Sequence, residues 1–191
     1  MIGHATNLSS ITSFSTELFR MTEKQLIEGC ISGQRIAQKE LYERYKNAMF
    51  TLAYRITNDF ELANDVLQEG FVQVFRAIEQ FRGESTIGAW IKTIVVRTAY
   101  KKVKQRVVFE DLELIPQQSN IEWGNSLDIE YLEKAIQSLP EGYRTVFTLI
   151  EIEGYTHREA AELLQISEGT SKSQLFYAKK KLREMLKDVI N

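Results

Sequence analysis

The sequence predicts an all-α fold: two small helical domains joined by a flexible acidic linker, the second domain holding a helix-turn-helix. Three observations carry that prediction. Proline occurs only at Pro116 and Pro140 in 191 residues, so little interrupts a helical period. Apolar residues recur at three- and four-residue spacing, while runs alternating with the period of two that a strand needs are absent. The period lapses between residues 107 and 127, around Pro116-Gln117-Gln118-Ser119-Asn120, which reads as a connector.

Taken in order, residues 1–21 are rich in Ser and Thr and are expected to be a disordered tail, with Met21 as a candidate translation start. Thr22 with Gln25 opens a short helix. A long helix follows from Gln34 to Ile56, with Leu41, Tyr45, Ala48, Leu52 and Ile56 on one face. Asn58 with Glu61 is expected to cap the next, whose broad apolar face runs Ala63, Val66, Leu67, Gly70, Phe71, Val74, Phe75 and Ile78. The Phe81–Glu84 loop, with Gly83, ends that helix, and Ser85 is expected to open the fourth. There Ile87, Trp90, Ile91, Ile94, Val95 and Thr98 point inward, whereas Thr93, Arg97, Tyr100 and Lys104 form a separate stripe. An aromatic ring among cations suits single-stranded DNA, since a base stacks on the ring while the cations hold phosphate. The same pattern also describes an ordinary solvated helix face.

The first domain is thus expected over residues 22–106, the linker over 107–127 and the second domain over 128–191. In the second, Leu139-Pro140 introduces a helix from Glu141 to Glu153 with Val146, Leu149 and Ile150 inside, and Gly154 closes it. Thr156 and Glu159 then have capping-box spacing, and Ala160, Leu163 and Leu164 make a narrow apolar stripe over which another helix can cross. Ser167 is a second N-cap. The helix after it buries Leu175, Ala178, Leu182, Leu186 and Val189, leaving Thr170, Ser173, Tyr177 and Lys180 on the opposite side with Lys172 and Gln174 flanking. Hydrogen-bonding and cationic groups near a helix N-terminus are what major-groove docking requires.

Charge is blocked along the chain. The net charge is -2, yet Lys92 to Arg106 holds six basic residues and no acidic one, and Val107 to Glu133 holds seven acidic and no basic. Such asymmetry suggests two nucleic-acid-facing surfaces separated by a connector that repels phosphate. Catalysis has little to stand on. One cysteine, Cys30, allows no internal disulfide and fits a reducing cytoplasm. Two distant histidines, His4 and His157, give neither a metal cluster nor a nucleophile-base pair, so no cofactor is expected. No apolar run reaches the length of a membrane span, and the N-terminal segment lacks the basic start and apolar block of a signal peptide.

Several linked motifs now resemble one family, the extracytoplasmic function (ECF) sigma factors of bacterial RNA polymerase. Ala63-Asn64-Asp65-Val66-Leu67-Gln68-Glu69-Gly70-Phe71 resembles its polymerase-binding helix. Phe81-Arg82-Gly83-Glu84-Ser85 with Trp90-Ile91 resembles its promoter-melting region. Leu139-Pro140 and Ile166-Ser167-Glu168-Gly169-Thr170 with Lys172-Ser173 resemble its second DNA-binding domain, and order and spacing agree from about Thr22 to Lys187.

The resemblance implies a cytoplasmic initiation factor that binds core RNA polymerase and gives it promoter recognition and strand opening. Asp65, Gln68 and Glu69 match positions that contact the clamp helices of the largest subunit. Phe81, Arg82, Gly83, Glu84 and Ser85 with Thr93, Arg97, Tyr100, Lys101 and Lys104 match the part that melts and reads the minus-ten element. Thr170, Lys172, Ser173, Gln174, Tyr177 and Lys180 match the duplex reader of the minus-thirty-five element. An anti-sigma factor is an expected further partner. The chain departs from the family at Arg97, where Asn is commonest, at Lys101, where an acid is frequent, and at Gln174 and Tyr177, where Arg is frequent. The reading from another class is a stand-alone helix-turn-helix regulator.

Overall fold

A computed structural model of the chain describes residues 21–110 and 129–190. Those residues form eight α-helices and no strand. Residues 1–20 of the expected tail and most of the expected linker lie outside them, whereas Met21, expected in the tail, donates its amide to Glu40 at 3.1 Å and accepts from Arg44 at 2.7 Å.

The first four helices are α1 (Glu23–Ile31), α2 (Arg35–Thr57), α3 (Phe60–Ala77) and α4 (Ile87–Glu110), with a 3-10 turn Ile78–Gln80 after α3. Thr22 and Gln25 cap each other's backbone at the start of α1, as their spacing predicts. Two other starts differ by one residue. Asn58 takes the left-handed conformation that ends α2, and its neighbour Asp59 caps α3 by accepting from the Leu62 amide. Two cap-forming residues stand side by side, and the chain uses one to stop and the other to start. Likewise Thr86, not Ser85, accepts the Ala89 amide at the head of α4, while the Glu23 carboxylate of α1 accepts the Ile87 amide at 3.2 Å.

Helix α4 also runs to Glu110, so residues 107–110 of the expected linker are helical. No glycine or proline stands before Pro116 to stop it. Along α2, Ala48 is exposed, and the buried stripe turns toward Met49, Leu52 and Ala53, where the second half of the chain packs against this helix. Helices α3 and α4 meet closely at Gly70, where a Cβ would stand 3.2 Å from a Val95 methyl. The core between α1 and α4 is built on Leu26, Leu41, Leu52, Ile56, Val66, Val74, Ile87, Ile91 and Val95, all essentially inaccessible to solvent.

The second half comprises α5 (Ile129–Gln137), α6 (Glu141–Phe147), a π-turn Thr148–Ile152, α7 (His157–Leu164) and α8 (Glu168–Ile190). The helix expected to run regularly from Glu141 to Glu153 is therefore interrupted, and Gly154 follows with φ of 76°. Val146, Leu149, Ala160, Leu163, Leu164 and Leu175 join the core of the first half in one cluster. Ala135, Ile136, Leu139, Ala178 and Leu182 form a second, smaller one.

Candidate nucleic-acid interfaces

The face of α3 away from the core carries Asp65 and Gln68 in solvent, with Glu69 at its edge. Glu69 accepts from Gln73 at 3.3 Å and pairs with Lys102 of α4 at 3.1 Å, so it braces the two helices. Between Asp65 and Gln68 around that face lies Val72, 46% exposed, an apolar spot that falls outside the predicted core face and that sequence reasoning gave no role.

The loop after α3 carries Phe81, Arg82, Gly83, Glu84 and Ser85. Gly83 has φ of 73°, a conformation costly for residues with a Cβ. Phe81 turns back against Trp90, their rings 5.6 Å apart, so both aromatics are half-buried. Arg82, Glu84 and Ser85 stay exposed. Opposite this loop stands α1, and between them opens a groove of about 360 Å³ lined by Glu23, Lys24, Ile27, Glu28, Phe81, Gly83 and Ser85. Its apolar residues are Ile27 and Phe81, and its rim carries both carboxylates and an ammonium. Further along α4, Arg97, Lys101 and Lys104 are exposed. The Lys104 ammonium lies 4.6 Å from the centre of the half-buried Tyr100 ring.

The helix-turn-helix is local chemistry throughout. Thr156 and Glu159 form the expected capping box, and those hydrogen bonds hold the Glu159 carboxyl below the usual carboxylate range. Gln165 ends α7 in the left-handed conformation. Ser167 accepts the Thr170 amide at 2.9 Å and pairs with its hydroxyl at 2.8 Å, so Thr170 is engaged in the cap. His157 Nδ1 meets the buried Ser171 hydroxyl at 2.9 Å and ties α7 to α8. Lys172 pairs with Glu168 across one turn at 2.7 Å, remains exposed, and depresses that carboxyl's pKa. Ser173, Tyr177 and Lys180 are exposed, as the spacing predicts. Gln174 is half-buried with its amide over Gly142 of α6. Next to Tyr177 stands Phe176, 61% exposed, a residue that reasoning from period alone left out.

Residues 41–107 match the family sigma-70 region 2, and residues 129–182 match sigma-70, region 4. The RNA polymerase sigma-H factor of Pseudomonas aeruginosa is 30% identical, over 88% of this chain and 95% of that protein. The ECF RNA polymerase sigma-E factor of Haemophilus influenzae is 31% identical, over 90% and 96%. The chain belongs to the ECF subfamily of sigma-70 factors. Among solved structures, the sigma factor RpoE in complex with the anti-sigma factor NepR from Bartonella quintana superposes with a TM-score of 0.57 at 25% identity, over 78% of this chain and 96% of that one. CnrH in complex with the cytosolic domain of CnrY shares the fold, with a TM-score of 0.53 at 21% identity, over 85% and 96%. The function of this sigma factor is promoter-specific initiation of transcription with RNA polymerase, and its partners are the polymerase and promoter DNA. The relatives are initiation factors rather than catalysts. No described helix is long and apolar enough to cross a membrane.

In this sigma factor the two halves meet along a seam. Arg144 of α6, 4% exposed, donates to the Ile56 carbonyl of α2 from Nε and Nη2, and from Nη1 to the carbonyls of Leu139 at 2.7 Å and Gln137 at 3.3 Å. Asn58 donates to the Gln137 carbonyl at 3.2 Å, and Arg55 pairs with Glu133 at 3.2 Å. At the other end of the seam Lys92 of α4 pairs with Glu153, and Tyr155 packs beside them. Burial pushes the Tyr155 phenol up, against the pull of Lys92 and a hydrogen bond with Thr93. Thr93, placed by its spacing on the nucleic-acid stripe, therefore faces the second half, while Arg97, Lys101 and Lys104 lie clear in solvent. Sequence reasoning could not find these contacts, because Arg144 and Ile56 are 88 positions apart.

Proposed function

We propose that the sigma factor docks on core polymerase through the Asp65, Gln68 and Glu69 face of α3 and holds the opened minus-ten strand along α4. The α7–α8 unit then reads the minus-thirty-five element as duplex. The observation that carries this reading is the division of chemistry between two helices of one chain. Tyr100 with Lys104 over its ring, beside Arg97 and Lys101, suits unstacked bases and their phosphates. Ser173, Tyr177 and Lys180 on a capped helix suit base edges in a major groove. The groove between α1 and the Phe81–Ser85 loop is of a size to take one extruded base, with Ile27 and Phe81 to cover its faces. Unpairing DNA costs a few kcal/mol, so capture of a base there is a means of holding the strand open.

The acidic face of α3 is read as the contact with the clamp helices of the polymerase's largest subunit. An anti-sigma factor is read as a further partner, since the fold neighbour RpoE is held in complex with the anti-sigma factor NepR. The site of action is then where polymerase and chromosome are, in the cytoplasm. The test adds the purified chain to core polymerase and follows run-off transcription from fragments of its own genome. Stimulation confined to particular fragments is expected. Absence of stimulation on every fragment, with a gel shift by the chain alone, would instead favour a stand-alone regulator.

A further inference from the structure

The chain from Glu141 to Tyr155 grips three neighbours in turn. Arg144 of α6 donates to the Ile56 carbonyl of α2 at 3.2 Å. Glu151 pairs with Lys179 of α8 at 2.8 Å. Glu153 pairs with Lys92 of α4, and Tyr155 hydrogen-bonds Thr93 beside it. Between the first grip and the last the winding changes. Thr148–Ile152 form the π-turn, the Glu153 amide donates to the Thr148 carbonyl at 3.0 Å, and the Tyr155 amide donates to the Leu149 carbonyl at 2.9 Å. A π-turn holds one residue more than an α-turn, so everything after it is set back by one position, roughly 100° and 1.5 Å. Wound as a plain α-helix, the same residues would set Ile152 against Lys92 and turn the Glu153 carboxylate aside.

That register has a cost. The Thr145 and Thr148 hydroxyls are fully buried and have no hydrogen-bond partner among the described residues. Elsewhere in the helices Thr51, Thr57, Thr93 and Thr98 each donate to the carbonyl four residues back, at 2.9 to 3.2 Å. A buried hydroxyl left unpaired is unfavourable, and π-turns are rare within helices. Thr148 follows Arg144 by four positions, so it lies on the side of α6 turned to α2, where closing of the two halves covers it. What offsets the cost is the pair of Glu153 with Lys92, which exists only while the halves are together. Register and closure therefore depend on each other, as two states of one element.

We propose that Thr148–Ile152 is a register switch that controls access to the part of α4 carrying Lys92 and Thr93. In the π register it delivers Glu153 and Tyr155 to those two residues and shuts the halves. In the α register it withdraws the carboxylate, Thr148 bonds the Arg144 carbonyl as the other threonines bond theirs, and the halves part. A strand that engages Lys92 or Thr93 therefore shifts the register without touching the turn. The inference rests on α4 being the holder of the melted strand.

The test follows the full chain by two measurements. One is affinity for a fluorescent single strand carrying the minus-ten sequence of a promoter it transcribes; the other is energy transfer between dyes on exposed Gln105 of α4 and Glu184 of α8. Deletion of Ile152 takes out the extra residue, so a plain α-helix then carries Glu153 to the place the π-turn gave it. The molecule is expected to shut: the dyes draw together and strand affinity falls about fivefold, the lower end of ordinary coupling between sites. Thr148→Val, which removes an unpaired hydroxyl at nearly constant volume, should shift both readings the same way by less. Conversely, Lys92→Glu should part the halves, and the carbon-13 NMR shifts of residues 148–152 should move to plain α-helical values. A deletion that separates the dyes, or leaves them unmoved, overturns the proposal. Should the deleted chain not fold, π-like shifts that persist in Lys92→Glu overturn it instead, and shifts that move to α-helical values uphold it. If dyes and shifts behave as expected while the wild type binds no strand with or without core polymerase, the strand-holding role of α4 fails and the switch stands.

Discussion

Thr156 shows how much one side chain decides in the helix-turn-helix. Its hydroxyl accepts the Glu159 amide, and the Glu159 carboxylate accepts from the Thr156 amide and hydroxyl. Thr156→Ala should cost about 1 kcal/mol in urea unfolding. It should also raise the Glu159 pKa toward that of an ordinary carboxyl, which an NMR titration would read. Because the folded pKa is lowered, the stabilisation is complete above the ordinary carboxylate range and is lost as pH falls through the lowered value. At the other surface, Asp65 is exposed on α3. Asp65→Ala should leave thermal unfolding unchanged and weaken capture by core polymerase severalfold in a pull-down; unaltered capture would remove Asp65 from the docking face.

At the scale of elements, helix starts were legible wherever one cap candidate stood alone, as at Thr22, Thr156 and Ser167. They were misplaced by one residue at Asn58-Asp59 and Ser85-Thr86, where two candidates adjoin and only the path of the chain chooses between them. The apolar face of α3 was legible because its period is long and regular. The π-turn after α6 was not, since Thr148 to Ile152 carries no sequence mark of an extra residue in the turn. Phe176 was missed for a related reason: period identifies what a core needs and says nothing of an apolar residue kept outside it. On α4, the Tyr100 ring under Lys104 is the part of the site most open to test. Tyr100→Ala should shorten the life of the open promoter complex by about tenfold, in line with ~1–3 kcal/mol for one stacked base. An unchanged lifetime would mean that no base rests on that ring.

The whole molecule is decided by contacts that no local pattern announces. Arg144 sits at the centre of the seam, its guanidinium shared among three backbone carbonyls from both halves. Arg144→Met should lower stability by about 2–3 kcal/mol, seen as a lower urea midpoint, because buried carbonyls lose charged donors. Glu153→Lys should act differently. It sets two ammonium groups against each other where Lys92 now has a carboxylate, so dyes placed on α4 and α8 should report a greater mean separation while each half keeps its helicity. An unaltered separation would show that the ion pair contributes little to holding the halves together.

That seam gives any affinity that depends on Lys92 or Thr93 a hidden factor. Lys92 and Thr93 face Glu153 and Tyr155, so under the proposed function a strand that reaches this part of α4 does so only in molecules whose halves have parted. For a strand that needs Lys92 or Thr93, the observed dissociation constant is then the intrinsic one divided by the parted fraction, and each tenfold scarcity of parted molecules removes about 1.4 kcal/mol from apparent binding. A variant altered far from any base, at Arg55 or Glu133, could therefore strengthen promoter binding without making a new contact to DNA.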